Sequence, residues 1–235
     1  MHRFFADENG IKDGIAVLDA TDSHHASKVL RMGIGDEAVL IADRALYRCK
    51  ILSDAVSVQV LEALPSPEPE IKITLYQGLP KADKMDFIVQ KATELGVNKI
   101  VPVSMERCVV KLDGKDAKKK QERWQKIARE AAKQSGRAVV PEIALPLPLK
   151  KAVFQEKLLL VPWEEAAGYS LKKAHADYPD AVSIGVLIGP EGGITEEEIK
   201  ALPFTPVTLG KRILRTETAG LCALSALYAL YGDLE

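Results

Sequence analysis

The chain has 235 residues, 47% hydrophobic and 28% charged, with a formal net charge of −1. That size holds one large domain or two ordinary ones, and the composition excludes a disordered or fibrous chain. Three scattered cysteines, Cys49, Cys108 and Cys222, form no CxxC pair, which excludes a disulfide framework and fits a reducing compartment.

The N-terminus, MHRFFADENG, has no apolar signal core. Short, mostly β segments follow: Ile15–Leu18, Ala38–Ile41, Tyr47–Leu52 and Val56–Leu61, rich in Val, Ile and Leu and separated by Gly or Asp. One helix is expected around Ser23 to Leu30. His24 and His25 are adjacent and lack metal-ligand spacing, so no metal is expected. This region reads as a small barrel or curled sheet. It ends at Pro65-Ser66-Pro67-Glu68-Pro69-Glu70, where alternating prolines favour extended chain.

After residue 70 strands and helices alternate. Ile71–Gln77 reads as a strand. Asp83 is a plausible N-cap for a helix with Met85, Ile88, Val89, Ala92 and Leu95 on one face, ended by Gly96. Ile100–Val103 is the next strand. A long helix carrying Trp124, Ile127, Ala128 and Ala131 ends before Gly136. Leu158–Val161 and Ile184–Ile188 are unbroken apolar strands, as in a sheet covered on both faces. Thr195 and Glu198 make a capping box. Val207–Leu209 is a last strand, and Thr216 or Thr218 starts a helix that is apolar nearly all round. Such alternation implies a mostly parallel sheet. The longest apolar run, Ala219 to Tyr231, is too short to span a bilayer, and a cytoplasmic protein with no membrane partner is expected.

Charge is distributed unevenly. Residues 1–70 carry 7 Lys and Arg against 12 Asp and Glu; residues 81–137 carry 15 against 8; residues 138–235 carry 9 against 13. A basic middle in a near-neutral chain is the footprint of a polyanionic partner. Lys118-Lys119-Lys120, taken alone, fits a solvated helix face equally well.

Two strand-to-helix turns carry the functional signal. In Ile188-Gly189-Pro190-Glu191-Gly192-Gly193, Pro190 fixes a turn, and the glycines permit positive φ and close approach of a ligand to backbone. The second, Leu209-Gly210-Lys211-Arg212-Ile213-Leu214-Arg215-Thr216-Glu217-Thr218-Ala219, gathers cations and hydroxyls at a helix start whose N–H groups lack partners. The apolar Ile213-Leu214 pair inside it suggests a covered site. Ligands of open parallel sheets bind beyond the carboxyl ends of the strands. Neither GxGxxG nor GxxxxGK[ST] occurs, so a dinucleotide fold and a P-loop are unsupported. A surface ion pair of Arg215 with Glu217 or Glu191 is the plain alternative.

These two loops, His24-His25-xx-Lys28-Val29-Leu30-Arg31, the run from Lys84 to Gly96, and Glu130 to Arg137 together resemble the ribosomal RNA small-subunit methyltransferase E family, over essentially the whole chain. The resemblance implies an α/β protein. A PUA-like β-barrel RNA-binding domain (1–70) would precede a SPOUT methyltransferase domain (71–235) with a trefoil knot. It implies methylation of N3 of a uridine in 16S ribosomal RNA, with S-adenosylmethionine as cofactor, by a homodimer. Carried over by motif, the cofactor residues are Ile188, Gly189, Pro190, Glu191, Gly192, Gly193, Leu209, Gly210, Ile213, Leu214 and Thr216.

Uracil N3 gains a usable lone pair only as its proton leaves, and negative charge then spreads to the flanking carbonyl oxygens. Arg215 is the expected cation there, and Glu217 the candidate proton acceptor. Arg3, Lys28, Arg31, Lys118, Lys119 and Lys120 are the expected RNA-binding residues. The competing reading is a non-enzymatic RNA-binding ribosome assembly factor. A small-molecule methyltransferase leaves the basic segment unexplained.

Overall fold

A computed structural model describes residues 1–53 and 56–234. Two compact units emerge: residues 1–68 with 132–139, and residues 69–131 with 140–234.

In the first unit, five strands close a barrel in the order β1-β2-β5-β4-β3. They are β1 (Arg3–Lys12), β2 (Ile15–Leu18), β3 (Glu37–Ala42), β4 (Ala45–Ser53) and β5 (Ser57–Leu64). Only the β1–β3 closure is parallel. Closure removes free sheet edges, and alternation turns Phe4, Leu18, Leu40, Cys49, Ile51 and Val58 inward. The expected helix at Ser23 to Leu30 is corrected. A short helix, α1 (Ala20–His24), starts earlier because the Asp19 carboxylate accepts the Asp22 N–H at 2.9 Å. It runs on into a π-helical turn, His25–Val29.

The second unit is a parallel sheet ordered β12-β10-β11-β6-β7-β8. Its strands are β6 (Lys72–Gly78), β7 (Lys99–Ser104), β8 (Glu142–Ile143), β10 (Leu158–Pro162), β11 (Ser183–Ile188) and β12 (Thr205–Val207), with β9 (Leu147–Pro148) also pairing to β7. Helices α2 (Lys84–Glu94), α3 (Gly114–Ser135), α4 (Leu171–Asp177), α5 (Glu196–Ala201) and α6 (Thr216–Leu230) complete the chain. Every residue of the Ile184–Ile188 run is buried, as a central strand covered on both faces requires. On one face α2 packs on α6, and Tyr228 is fully buried. Elsewhere in the core, Tyr76, Phe154 and Phe204 stack edge to face at 4.8–5.9 Å.

Two boundaries differ from expectation. The last strand ends at Val207, two residues early, because Thr208 turns: its hydroxyl accepts the Gly210 N–H at 3.1 Å. Asp83 does not cap α2 through its side chain. At φ −93°, ψ 13° it is already in a turn, and its backbone carbonyl takes the Asp86 N–H instead.

Candidate functional site

Strands β12, β10, β11 and β6 are neighbours, so the loops leaving their carboxyl ends converge. The loop after β11 runs past Gly78 so closely that a Cβ there would lie 2.7 Å from the Pro190 nitrogen. It then turns through a Gly193 N–H to Pro190 carbonyl bond of 2.9 Å, with Gly193 at φ +76°. Arg107 donates to the Gly192 carbonyl at 3.1 Å. The Thr195–Glu198 capping box then starts α5, which anchors the loop at its far end.

The loop after β12 is fixed only at its ends. Thr208 donates its N–H to the Tyr169 carbonyl at 2.9 Å. Thr216, the first residue of α6, donates its hydroxyl to the Gly189 carbonyl at 2.6 Å and accepts from the buried Gln77 amide at 2.9 Å. That chain of bonds ties β6, the β11 loop and the start of α6 together. Among the described residues, the backbone N–H and C=O groups of Lys211 to Leu214 have no hydrogen-bond partner in the chain.

Between the loops lies a cavity of about 460 Å³ lined by Lys84, Pro162, Glu164, the 188–194 stretch, Ile213, Leu214, Arg215, Thr216 and Ala219. A smaller one, about 110 Å³, adjoins it and is lined by Leu209 to Leu214 with Pro162, Trp163, Glu164, Thr208 and Ala219. Eleven of the expected ligand residues thus border these two spaces: Ile188, Gly189, Pro190, Glu191, Gly192, Gly193, Leu209, Gly210, Ile213, Leu214 and Thr216. The expectation of a covered Ile213-Leu214 pair is corrected. Ile213 is 88% exposed and Leu214 half-buried, because this stretch has no regular structure and no backbone hydrogen bond to hold it down.

The charges sort differently from the sequence reading. Lys84, at the start of α2, places Nζ 2.9 Å from Glu191 Oε1 and 3.2 Å from Glu217 Oε2. Glu191 also accepts the Lys81 N–H at 3.2 Å. Burial pushes the Glu191 carboxyl upward, but the bonds from Lys84 and from backbone N–H groups outweigh it and hold it below the ordinary range. The Lys84 ammonium is raised, chiefly by its bond to Glu191 and then by that to Glu217. Arg215 is exposed and has no ion pair among the described residues, so its pairing with Glu217 or Glu191 does not form. The sequence reading missed Lys84, Gln77, Arg107 and Glu164 as site residues; Lys84 stood in the resembling run from Lys84 to Gly96 without a role.

The RNA-binding candidates are distributed. Lys28 and Arg31 are exposed on the barrel unit, Arg31 at φ +55°. Arg3 is engaged locally: its guanidinium donates to the Gln134 carbonyl at 3.2 Å. On α3, Lys118 and Lys119 are exposed and Lys120 half-exposed, with no ion pair among the described residues. Other cations of the basic segment are neutralised, Arg123 by Asp86, Lys133 by Asp22 and Arg137 by Glu68. Among the described residues no group of His, Cys, Asp and Glu is placed to hold a metal ion, and no helix is long and apolar enough to cross a membrane.

The parallel sheet and the cleft between its two loops lie within residues 67–228, which match the RNA methyltransferase domain family. The whole chain belongs to the ribosomal RNA small subunit methyltransferase E family. It is 41% identical to the Bacillus subtilis member over 89% of this chain and 88% of that one. It is 33% identical to the Aquifex aeolicus member over 97% and 99%. Among solved structures, the Neisseria gonorrhoeae family member bound to S-adenosylmethionine superposes with a TM-score of 0.85, at 34% identity over 100% of both chains. A Legionella pneumophila methyltransferase with the same bound cofactor gives 0.80, at 33% identity over 97% and 96%.

Proposed function

We propose that this protein uses S-adenosylmethionine to methylate N3 of a uridine in 16S ribosomal RNA of the small ribosomal subunit. The observation that carries this reading is the cleft between the two loops, with Arg215 at its edge.

The residues fit the cofactor. Adenosine needs an apolar slot with free backbone donors and acceptors; Ile188, Leu209 and Leu214 supply apolar surface, and Lys211 to Leu214 supply unpaired backbone groups. Gly193, bare of a side chain, lets backbone approach. When bound, the cofactor supplies an electrophilic methyl group.

The protein's own task is to make uracil N3 a nucleophile. Its proton must leave as the N–methyl bond forms. Glu217, which stands on α6 outside the lining of either space, with its side chain 18% exposed and held by Lys84, is the acceptor in this reading. Arg215, free of any carboxylate in the cleft, stabilises the charge that develops on the uracil oxygens. Because that charge is larger in the transition state than in the ground state, the contribution appears in the rate rather than in binding.

In this reading the segment 1–70 is the RNA-binding domain and 71–235 the methyltransferase domain. Arg3, Lys28, Arg31 and Lys118 to Lys120 contact phosphates. The active form is a homodimer, and the chain is threaded as a trefoil knot near the loop after β12; the position of β12 outside β10 is compatible with that threading.

Mass spectrometry of 16S nucleosides from a deletion strain tests the assignment. Loss of one N3-methyluridine, restored by the purified protein with S-adenosylmethionine, is expected. An unchanged nucleoside profile, with RNA binding intact, would favour an assembly factor without catalytic activity.

A further inference from the structure

Two carboxylates, Glu164 and Glu191, border the cleft, and a third, Glu217 on α6, borders neither space. Glu191 and Glu217 share the Lys84 ammonium. Glu164, in the loop leaving β10, has no hydrogen bond or ion pair among the described residues. It is also the one acidic side chain that borders both cavities, the 460 Å³ space beside Gly193 and the 110 Å³ space under Leu209 to Leu214. Its Oε1 sits against the bare face of Gly193, 3.2 Å from where a Cβ would be. An exposed, unpaired carboxylate that borders both spaces is available to positive charge.

We propose that Glu164 is the counter-charge for the cationic methionine half of the cofactor, the part that carries the sulfonium and the ammonium. This rests on the cofactor reading above and adds the residue that recognises the charged end. The surrounding cations sharpen the argument. Lys211, Arg212 and Arg215 border the two spaces with no ion pair among the described residues, and they repel a ligand that bears two positive centres and one carboxylate. Of the two carboxylates that border the spaces, Glu191 already faces Lys84, so Glu164 is the unpaired anion that offsets that repulsion. A neutral ligand that fills only the adenosine part has no use for it.

The test is calorimetry on the full chain with two ligands, S-adenosylmethionine and 5′-methylthioadenosine, which lacks both positive centres. The wild type should bind both. In Glu164→Gln, which keeps shape and removes charge, S-adenosylmethionine should bind about fivefold more weakly, the size of a partly solvated charge pair, while 5′-methylthioadenosine is unchanged. The salt dependence of S-adenosylmethionine binding should also flatten. Glu165→Gln, which removes a neighbouring carboxylate that is exposed like Glu164 but borders neither space, should alter neither ligand. Equal losses for both ligands in Glu164→Gln would make Glu164 a packing residue, and unchanged affinity for both would remove it from the site; either overturns the proposal. A wild type that binds neither ligand would instead overturn the cofactor reading itself.

Discussion

Lys84 Nζ lies 2.9 Å from Glu191 Oε1, which ties the first turn of α2 to the loop after β11. The same ammonium reaches Glu217 on α6, so one cation links the loop after β11 to the last helix and keeps two carboxylates from facing each other unscreened. Lys84→Met should loosen the loop after β11 and its tie to α6 and lower affinity for S-adenosylmethionine, and Lys84→Arg should recover part of it. The linkage has a sign. Glu191 is held below its ordinary value of 4.5, so its contribution is present above that pH and lost as pH falls through the lowered value. Lys84 is raised above 10.5, so its contribution is present below that pH and lost as pH rises through the raised value. The melting-temperature gap between wild type and Lys84→Met should therefore be flat between about 4.5 and 10.5 and shrink outside that window. A gap that varies with pH near neutrality would point to another partner.

Gly193 is left-handed at φ +76° and faces the Glu164 carboxylate. Gly193→Ala should cost about 1 kcal/mol of stability for the backbone strain, and should also place a methyl where backbone approaches the ligand. Calorimetry with S-adenosylmethionine should show affinity lost in a protein that still melts cooperatively. Full affinity in that variant would move the cofactor away from this turn.

Lys118, Lys119 and Lys120 project from α3 without an ion pair among the described residues. If they meet phosphates, neutralising all three should weaken RNA binding and reduce the slope of log affinity against log salt by roughly 2 units, through lost counterion release. An unaltered slope would leave the run as a solvated helix face.

A dimer is expected from α6. Leu221, Ala226 and Leu230 stay only partly buried on a helix whose other face, Ala223, Leu224, Leu227 and Tyr228, is fully in the core. Light scattering at micromolar concentration should give twice the 25.7 kDa chain mass, and Leu221→Lys should shift it toward the monomer. A monomeric wild type would exclude this face as an interface.

What the sequence disclosed was local. Thr195 and Glu198 are three residues apart, and their capping box forms as read. The apolar run at Ile184 marked a strand covered on both sides. The first barrel strand, Arg3–Lys12, escaped because Asp7, Glu8, Asn9 and Gly10 break its alternation, and α4 because seven residues show too little periodicity. Charge pairing was the least legible feature. Glu217 lies two residues from Arg215 in sequence, which favours that pair on paper, yet its cation comes from Lys84, brought in by the packing of α2 on α6. Such a relation depends on sheet order, and strand periodicity does not encode sheet order.

That exchange of partners makes Arg215 the most informative residue to change. It stands at the N-cap position of α6 in extended conformation, φ −66° and ψ 154°, with no cap bond from its side chain. Its guanidinium borders the larger cavity and, among the described residues, neutralises no carboxylate. A structural ion-pair partner would be tied down, and its loss would appear in the melting curve. An unpaired guanidinium at the edge of a ligand cleft is available for charge that forms during reaction. Arg215→Ala should therefore leave the melting temperature nearly unchanged and alter cofactor affinity little. It should lower the single-turnover methylation rate by roughly 10²-fold, the scale of losing one preorganised donor to a developing oxyanion. Arg215→Lys should restore only part of the rate, since a point charge does not reproduce the planar fork. Both rates are to be taken at saturating S-adenosylmethionine and RNA, so that weakened binding does not pass for slowed chemistry. Full activity in Arg215→Ala would take the residue out of the mechanism.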